Sequence, residues 1–179
     1  ILVANRGEIA LRIMRSAKEM GIQTVAVYSE ADADMPFVRF ADEAYCIGPA
    51  PSSQSYLLGD KIIEVAKQCK AEGIHPGYGF LSENAKFSQA VTDAGLIFIG
   101  PTSSTIETMG SKIGAKQSAK RFNVPMVPGT DTPLKDAAEA HEVAARTGFP
   151  LLIKASAGGG GKGMRIVHKA EELEEQMRM

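Results

Sequence analysis

The sequence predicts an α/β fold: an open parallel sheet, then a helical linking segment, then the start of a smaller lid-like subdomain. Two patterns predict it. Over residues 1–100 short apolar runs alternate with stretches whose apolar residues return at helical spacing, the strand–helix–strand order of a parallel sheet. After Pro101 the alternation stops. Helical segments, a proline-rich stretch and a glycine run between two strand-like runs take its place.

Taken in order, Ile1-Leu2-Val3-Ala4 reads as a first strand that begins without a Met, so the natural start is expected to be missing. Asn5-Arg6-Gly7-Glu8 fits a capping box, with Asn5 at the N-cap and Glu8 three residues on. Ile9, Ile13, Met14, Ala17 and Met20 then share a helical face up to Gly21. Residues 24–28 and 44–47 are the next strands, 56–72 a long helix closed by Gly73, and Ile74-His75 a short strand. The turn Pro76-Gly77-Tyr78-Gly79 follows, with Ser82 placed to cap a helix over 84–94 that ends at Gly95. Leu96-Ile97-Phe98-Ile99 reads as a strand buried on both faces. Beyond it, residues 104–122 form two helices broken at Gly110, 125–133 a linker, and 136–147 a helix. Strands at 150–155 and 164–168 flank the glycines, and a last helix starts at Lys169. Ligands of open parallel sheets gather beyond the carboxyl ends of the strands. Those ends carry Asn5-Arg6-Gly7, the loop 29–34, the segment 75–84 and Gly100-Pro101.

Composition narrows the classes of function. Hydrophobic residues make up 44% and charged residues 23%, and 20 Lys and Arg balance 21 Asp and Glu for a net charge of −1. Such a chain lacks the basic field of a nucleic-acid or anionic-membrane binder, so phosphate recognition must rest on a few local groups. No apolar run is long enough to span a bilayer, and no signal peptide is expected. Cys46 and Cys69, far from any second Cys or His at ligand spacing, are expected to be two buried thiols in a reducing compartment.

The glycine run carries the most chemistry: Lys154-Ala155-Ser156-Ala157-Gly158-Gly159-Gly160-Gly161-Lys162-Gly163-Met164. Successive glycines let backbone N–H groups approach phosphate oxygens, and lysines flank them. It is not a P-loop, because Ser156 and Gly163 stand where Gly and Ser or Thr are needed. Gly158, Gly160 and Gly163 match G-x-G-x-x-G only by accident, since a strand follows where the dinucleotide motif needs a helix. What remains is a glycine flap over a nucleotide, or a plain hairpin tip. Lys154 follows Leu151-Leu152-Ile153 and is expected to point from its strand towards the loop, where an inward cation would need an anion. Lys112, after Met109-Gly110-Ser111, taken alone reads as a solvated surface lysine. His75, Tyr78 and Glu83 bracket the Pro-Gly turn as a site or as a hydrogen-bonded turn. Glu171, Glu172, Glu174 and Glu175 suit a helix N-terminus better than a metal, and no acidic pair suited to Mg²⁺ stands elsewhere.

Five segments together resemble the biotin carboxylase family of ATP-grasp enzymes. They are Ala4-Asn5-Arg6-Gly7-Glu8-Ile9-Ala10, Asp42-Glu43-Ala44 with Ile47-Gly48-Pro49-Ala50-Pro51, the run His75 to Asn84, Phe98-Ile99-Gly100-Pro101 with Met109-Gly110-Ser111-Lys112, and the loop from Lys154 to Met164. The resemblance implies a Rossmann-like pre-ATP-grasp domain over 1–100, a linking helical segment over 101–130 and a truncated lid subdomain over 131–179. It implies that Lys112 and Lys154 contact ATP phosphates, that Gly160 and Gly161 lie in the lid loop, and that Met164 packs near the adenine. It places His75, Tyr78 and Glu83 on the substrate-side wall and Arg15 and Glu19 at a dimer contact. Ala157, where another Gly is common, is a mild departure.

By the same resemblance the complete enzyme uses ATP, Mg²⁺ and bicarbonate to carboxylate biotin on a carrier protein or domain, through carboxyphosphate. It would work beside a carboxyltransferase component, as a homo-oligomer, in the cytoplasm or an organelle matrix. The Mg²⁺ ligands and catalytic groups are expected beyond Met179. No Met-Lys-Met biotin acceptor is present, so the carrier is expected elsewhere. The alternatives are another ATP-grasp ligase, such as a carbamoyl-phosphate type, and a nucleotide-binding module without chemistry. The final carboxyl acceptor, an acyl-CoA or pyruvate, is left open.

Overall fold

Strand residues in the first half of the chain point alternately into two cores, as a side-chain period of two requires. In the computed structural model, which describes residues 1–127, 129–130, 132–154 and 163–178, Leu2, Ala4, Val25, Val27, Ile47 and Ile74 pack into one core. Val3 and Ala26 pack into the other. The strands are β1 (Leu2–Val3), β2 (Val25–Ser29), β3 (Glu43–Gly48), β4 (Gly73–His75) and β5 (Ile97–Phe98). They form one all-parallel sheet in the order β3-β2-β1-β4-β5.

Helices cover both faces. α1 (Gly7–Glu19) and α2 (Pro36–Phe40) bring Ala10, Ile13, Met14 and Phe37 to the Val3 side. α3 (Gly59–Gln68) and α4 (Ala85–Asp93) bring Ile62, Ile63, Val65, Ala66, Phe87 and Val91 to the Leu2 side. Met14, Ile62 and Val91 are fully buried, and each such side chain contributes about 1.5–3 kcal/mol of transfer free energy.

The chain leaves β1 in one direction for β2 and β3 and returns on the other side for β4 and β5. The reversal falls between β1 and β4, and a crevice opens beyond the carboxyl ends of strands at such a point.

Several local expectations are corrected. Arg6, not Asn5, is the N-cap of α1, and it makes no side-chain cap bond. The capping-box pattern is present, but Asn5 is drawn away to a distant turn and the helix starts one residue later, with Gly7 turning at φ +63°. Asn84, not Ser82, caps α4, accepting from the Phe87 N–H at 2.9 Å. The helix expected over 56–72 begins only at Gly59, because Tyr56 is fully buried in the preceding turn. β5 is the sheet edge and leaves Ile97 64% exposed, so it is not a strand buried on both faces. Cys46 is exposed and Cys69 half-buried, both free, so neither is the buried thiol expected.

The chain divides into two compact units within α5 (Ser103–Gly110): Ile1–Glu107 and Thr108–Met179. The second unit contains α6 (Lys112–Arg121), α7 (Ala137–Thr147), β6 (Leu151–Lys154), β7 (Met164–Val167) and α8 (Leu173–Arg178). Ser111 and Asp136 cap α6 and α7. The antiparallel β6–β7 pair lays one face on a core of Ala140, Ala144, Val167 and Leu173, joined by Leu151 and Ile153. Among the described residues no helix is long and apolar enough to cross a membrane.

Candidate functional site

In the first unit the carboxyl ends of β1 and β4 open into a groove of 370 Å³, lined by Asn5 to Ile9 and by Tyr78, Gly79 and Phe80. Asn5 is 3% exposed, and its amide donates to the Pro76 carbonyl at 2.8 Å and the Tyr78 carbonyl at 2.7 Å. Its Oδ1 accepts from the Arg6 N–H at 2.9 Å. One side chain therefore fixes both lips of the groove. Glu8 accepts a hydrogen bond from the Tyr78 hydroxyl, and that donation holds the exposed phenol above its ordinary range.

Behind the groove sits a buried polar cluster. Asp32 Oδ2 accepts from Tyr56 Oη at 2.7 Å, Ser29 Oγ at 2.8 Å and Arg6 Nη1 at 3.2 Å. Tyr56 Oη in turn accepts from the Ser29 N–H at 3.0 Å. Burial, then donation to Asp32, pushes the Tyr56 phenol up to about 12. The Arg6 guanidinium lies 5.9 Å from the Tyr56 ring centroid, and Phe80 stacks on Tyr56 at 5.2 Å. Phe80 takes a left-handed φ of +42°, costly for a bulky residue at roughly 1–2 kcal/mol. The stack offsets about 0.5–1.5 kcal/mol of that.

His75, at the end of β4, is half-buried, and its Nδ1 accepts from the Gly77 N–H at 3.1 Å. Burial pulls its pKa below the ordinary value of 6.5. A base whose pKa is lowered in the fold contributes stability above its unfolded pKa and loses it as pH falls through the folded one. Urea midpoints are therefore expected to fall as pH drops below about 6.5, and His75→Gln to flatten that part of the profile. Glu83 is exposed, outside the residues that line the groove. Arg15 and Glu19 are exposed on α1, four residues apart, away from its buried face of Ala10, Ile13, Met14 and Ala17.

In the second unit the open face of β6–β7 presents Leu152, Ile166, Lys154 and Met164. Leu152 pairs with Ile166 and Lys154 with Met164 across the strands. Leu152, Ile166 and Met164 are 48%, 59% and 46% exposed, and Lys154 is exposed as well. The lysine is thus not the inward cation expected. It stands in solvent at the end of an apolar platform, because Leu151 and Ile153 take the core face and the period of two turns it outward. Lys112 is the first residue of α6, and its side chain lies outside the described part of the chain. Gly160 and Gly161, with residues 155–162 as a whole, also lie outside the described residues. Asn5, Asp32 and Phe80 lie in strand-end segments that the sequence marked, but without individual roles, and Glu8 and Tyr56 were not singled out as site residues. The signal present was the position of Asn5-Arg6-Gly7 beyond a strand end.

Residues 1–106 match the family model described as biotin carboxylase, N-terminal domain, and residues 111–179 the carbamoyl-phosphate synthase L chain, ATP binding domain. The chain is 54% identical to a biotin carboxylase of Haemophilus influenzae, over 100% of this chain and 40% of that protein. It is 52% identical to the mitochondrial propionyl-CoA carboxylase alpha chain of Homo sapiens, over 100% of this chain and 25% of that protein. Among solved structures it resembles the biotin carboxylase domain dimer of Hydrogenobacter thermophilus 2-oxoglutarate carboxylase, crystallised with MgADP, ADP and bicarbonate. The TM-score is 0.86 at 50% identity, over 99% of this chain and 39% of that one. The chain thus spans about two fifths of these relatives or less.

Proposed function

Because the chain belongs to the biotin carboxylase N-terminal domain family, we propose that it is the first part of a carboxylase that uses ATP and bicarbonate to carboxylate biotin. The observation that carries the reading is the open face of β6–β7, where Lys154 stands directly opposite Met164 beside Leu152 and Ile166. An apolar platform suits a nucleobase, and a solvent-facing ammonium at its end suits the phosphates of the same nucleotide. Lys112, at the capped start of α6, would add a second cation, and Gly160 and Gly161 would close over the phosphates. The groove bounded by Tyr78 would receive the biotin ring, with His75 and Glu83 on the substrate side beyond its lining. Arg15 and Glu19 would meet a second copy of the enzyme.

The division at residues 100 and 130 into a pre-ATP-grasp domain, a linking segment and a lid belongs to the same reading. Charge on the transferring phosphoryl group has to be neutralised and water kept from a labile carboxyphosphate. The lysines supply part of the first and the lid the second. Mg²⁺ bridges phosphate oxygens in such reactions. We assign its ligands to the remainder of the enzyme, as the family resemblance implies. The same holds for the carrier and the carboxyltransferase.

The test is ATP cleavage by the complete polypeptide carrying this chain, with free biotin. Turnover requiring both bicarbonate and biotin is expected, and none above background from residues 1–179 alone. Cleavage that needs ammonia or glutamine instead of biotin would replace this reading with a carbamoyl-phosphate one.

A further inference from the structure

Three ties join the first strand–helix turn to the turn after β4, though 70 or more residues separate them in sequence. Two are the bonds from the buried Asn5 amide to the Pro76 and Tyr78 carbonyls. The third is the bond from the Tyr78 hydroxyl to Glu8. Gly77 lies between the two anchored carbonyls with φ +65°, and a Cβ there would stand 2.7 Å from Asn5 Nδ2 and 3.0 Å from its Cβ. The turn is therefore pressed onto Asn5 as closely as a glycine allows. Tyr78 projects from it, 61% exposed, at the groove.

A phenol has a single proton to donate and an oxygen that still accepts. With that proton committed to the Glu8 carboxylate, the hydroxyl oxygen of this groove-lining residue is left as an acceptor. Among the described residues, the charged side chains lining the groove are Arg6 and Glu8, and the Arg6 guanidinium is engaged by Asp32. We infer that Glu8 is a positioning residue, which with Asn5 fixes the Tyr78 ring and sets its hydroxyl as an acceptor for an N–H of a small planar cyclic amide or urea. The assignment of that ligand to the ureido ring of biotin rests on the proposed function. The clamp itself does not.

The experiment has two arms. In the complete carboxylase, Glu8→Ala is expected to raise KM for free biotin roughly three-fold to ten-fold, the scale of one hydrogen bond between neutral groups. The change in kcat is expected to be smaller. Tyr78→Phe should match it, the double variant should be no worse than Tyr78→Phe, and Glu8→Gln, which keeps an accepting oxygen, should recover part of the loss. A KM within two-fold of wild type for Glu8→Ala, or additive effects in the double variant, would overturn the inference. The second arm follows the tyrosine 13Cζ resonances of the 179-residue chain through alkaline pH, with Tyr78 assigned by its loss in Tyr78→Phe. Its midpoint is expected to fall in Glu8→Gln, and an unchanged midpoint would refute the clamp. Failure of the wild-type enzyme to carboxylate biotin would remove the functional reading and the ligand assignment together, and the clamp would stand or fall on the resonance alone.

Discussion

Replacing Lys154 with alanine in the complete carboxylase is expected to weaken ATP binding roughly ten-fold to over a hundred-fold while the protein stays folded. A hydrogen bond between an ammonium and a phosphate oxygen is worth about 1.5–3 kcal/mol, and each 1.4 kcal/mol is a factor of ten. The fold is spared because the lysine is exposed and packs no core: its neighbours Leu151 and Ile153 face Ala140, Ala144 and Leu173 instead. Lys154→Arg would keep the charge but present a planar fork in place of a point donor, so partial retention is expected. Lys112→Ala should show a loss of the same order. Calorimetric titration with a non-hydrolysable ATP analogue measures both. Normal binding by Lys154→Ala would return the residue to a solvated strand end and remove the main support for the nucleotide platform.

The two strands on either side of the glycines were legible from their apolar runs, but the face that Lys154 takes was not. It read as an inward cation, whereas alternation with the core-facing Leu151 and Ile153 turns it outward. Register then brought Met164 opposite the lysine. The five strands of the first unit were legible for a similar reason, since short apolar runs alternate with stretches of helical periodicity, two of which stop at Gly21 and Gly95. What the local pattern could not convey was tertiary demand. Asn5 and Glu8 satisfy a capping box on paper, but the β4 turn offers Asn5 two carbonyls and Glu8 a phenol, and those long-range bonds displaced the cap. The strand around β5 read as buried on both faces because the run Leu96-Ile97-Phe98-Ile99 is apolar throughout. Strand order, which alone makes it an edge, is not written in the strand itself. Asp32 sits among Glu30 and Asp34 in a run that looks like any solvated acidic loop, and nothing nearby in sequence announces Tyr56 as its donor.

Asp32→Ala is expected to be among the most damaging single substitutions in the first unit. The residue is 6% exposed, and one oxygen of its carboxylate accepts from Tyr56, Ser29 and Arg6. Removal leaves the Ser29 and Tyr56 hydroxyls buried without that acceptor, and both residues are fully buried. Each unsatisfied buried hydroxyl costs about 1–3 kcal/mol. The arginine side chain is about half exposed and recovers part of its loss from water. A destabilisation of about 2–4 kcal/mol is expected. Asp32→Asn, which keeps one accepting oxygen, should cost less. The readout is selective, because the chain has no Trp and its four tyrosines, Tyr28, Tyr45, Tyr56 and Tyr78, all lie in Ile1–Glu107. Tyrosine emission in urea therefore follows this unit alone. The alkaline limb supplies a second check. With the Tyr56 phenol raised to about 12 against an ordinary 10, its neutral form is favoured in the fold. Its stability contribution is fully present below pH 10 and is lost as pH rises towards 12. Tyr56→Phe should flatten that loss at the cost of the bond to Asp32. Wild-type urea midpoints that Asp32→Ala leaves unmoved would show the cluster to be solvated and the groove to stand without it.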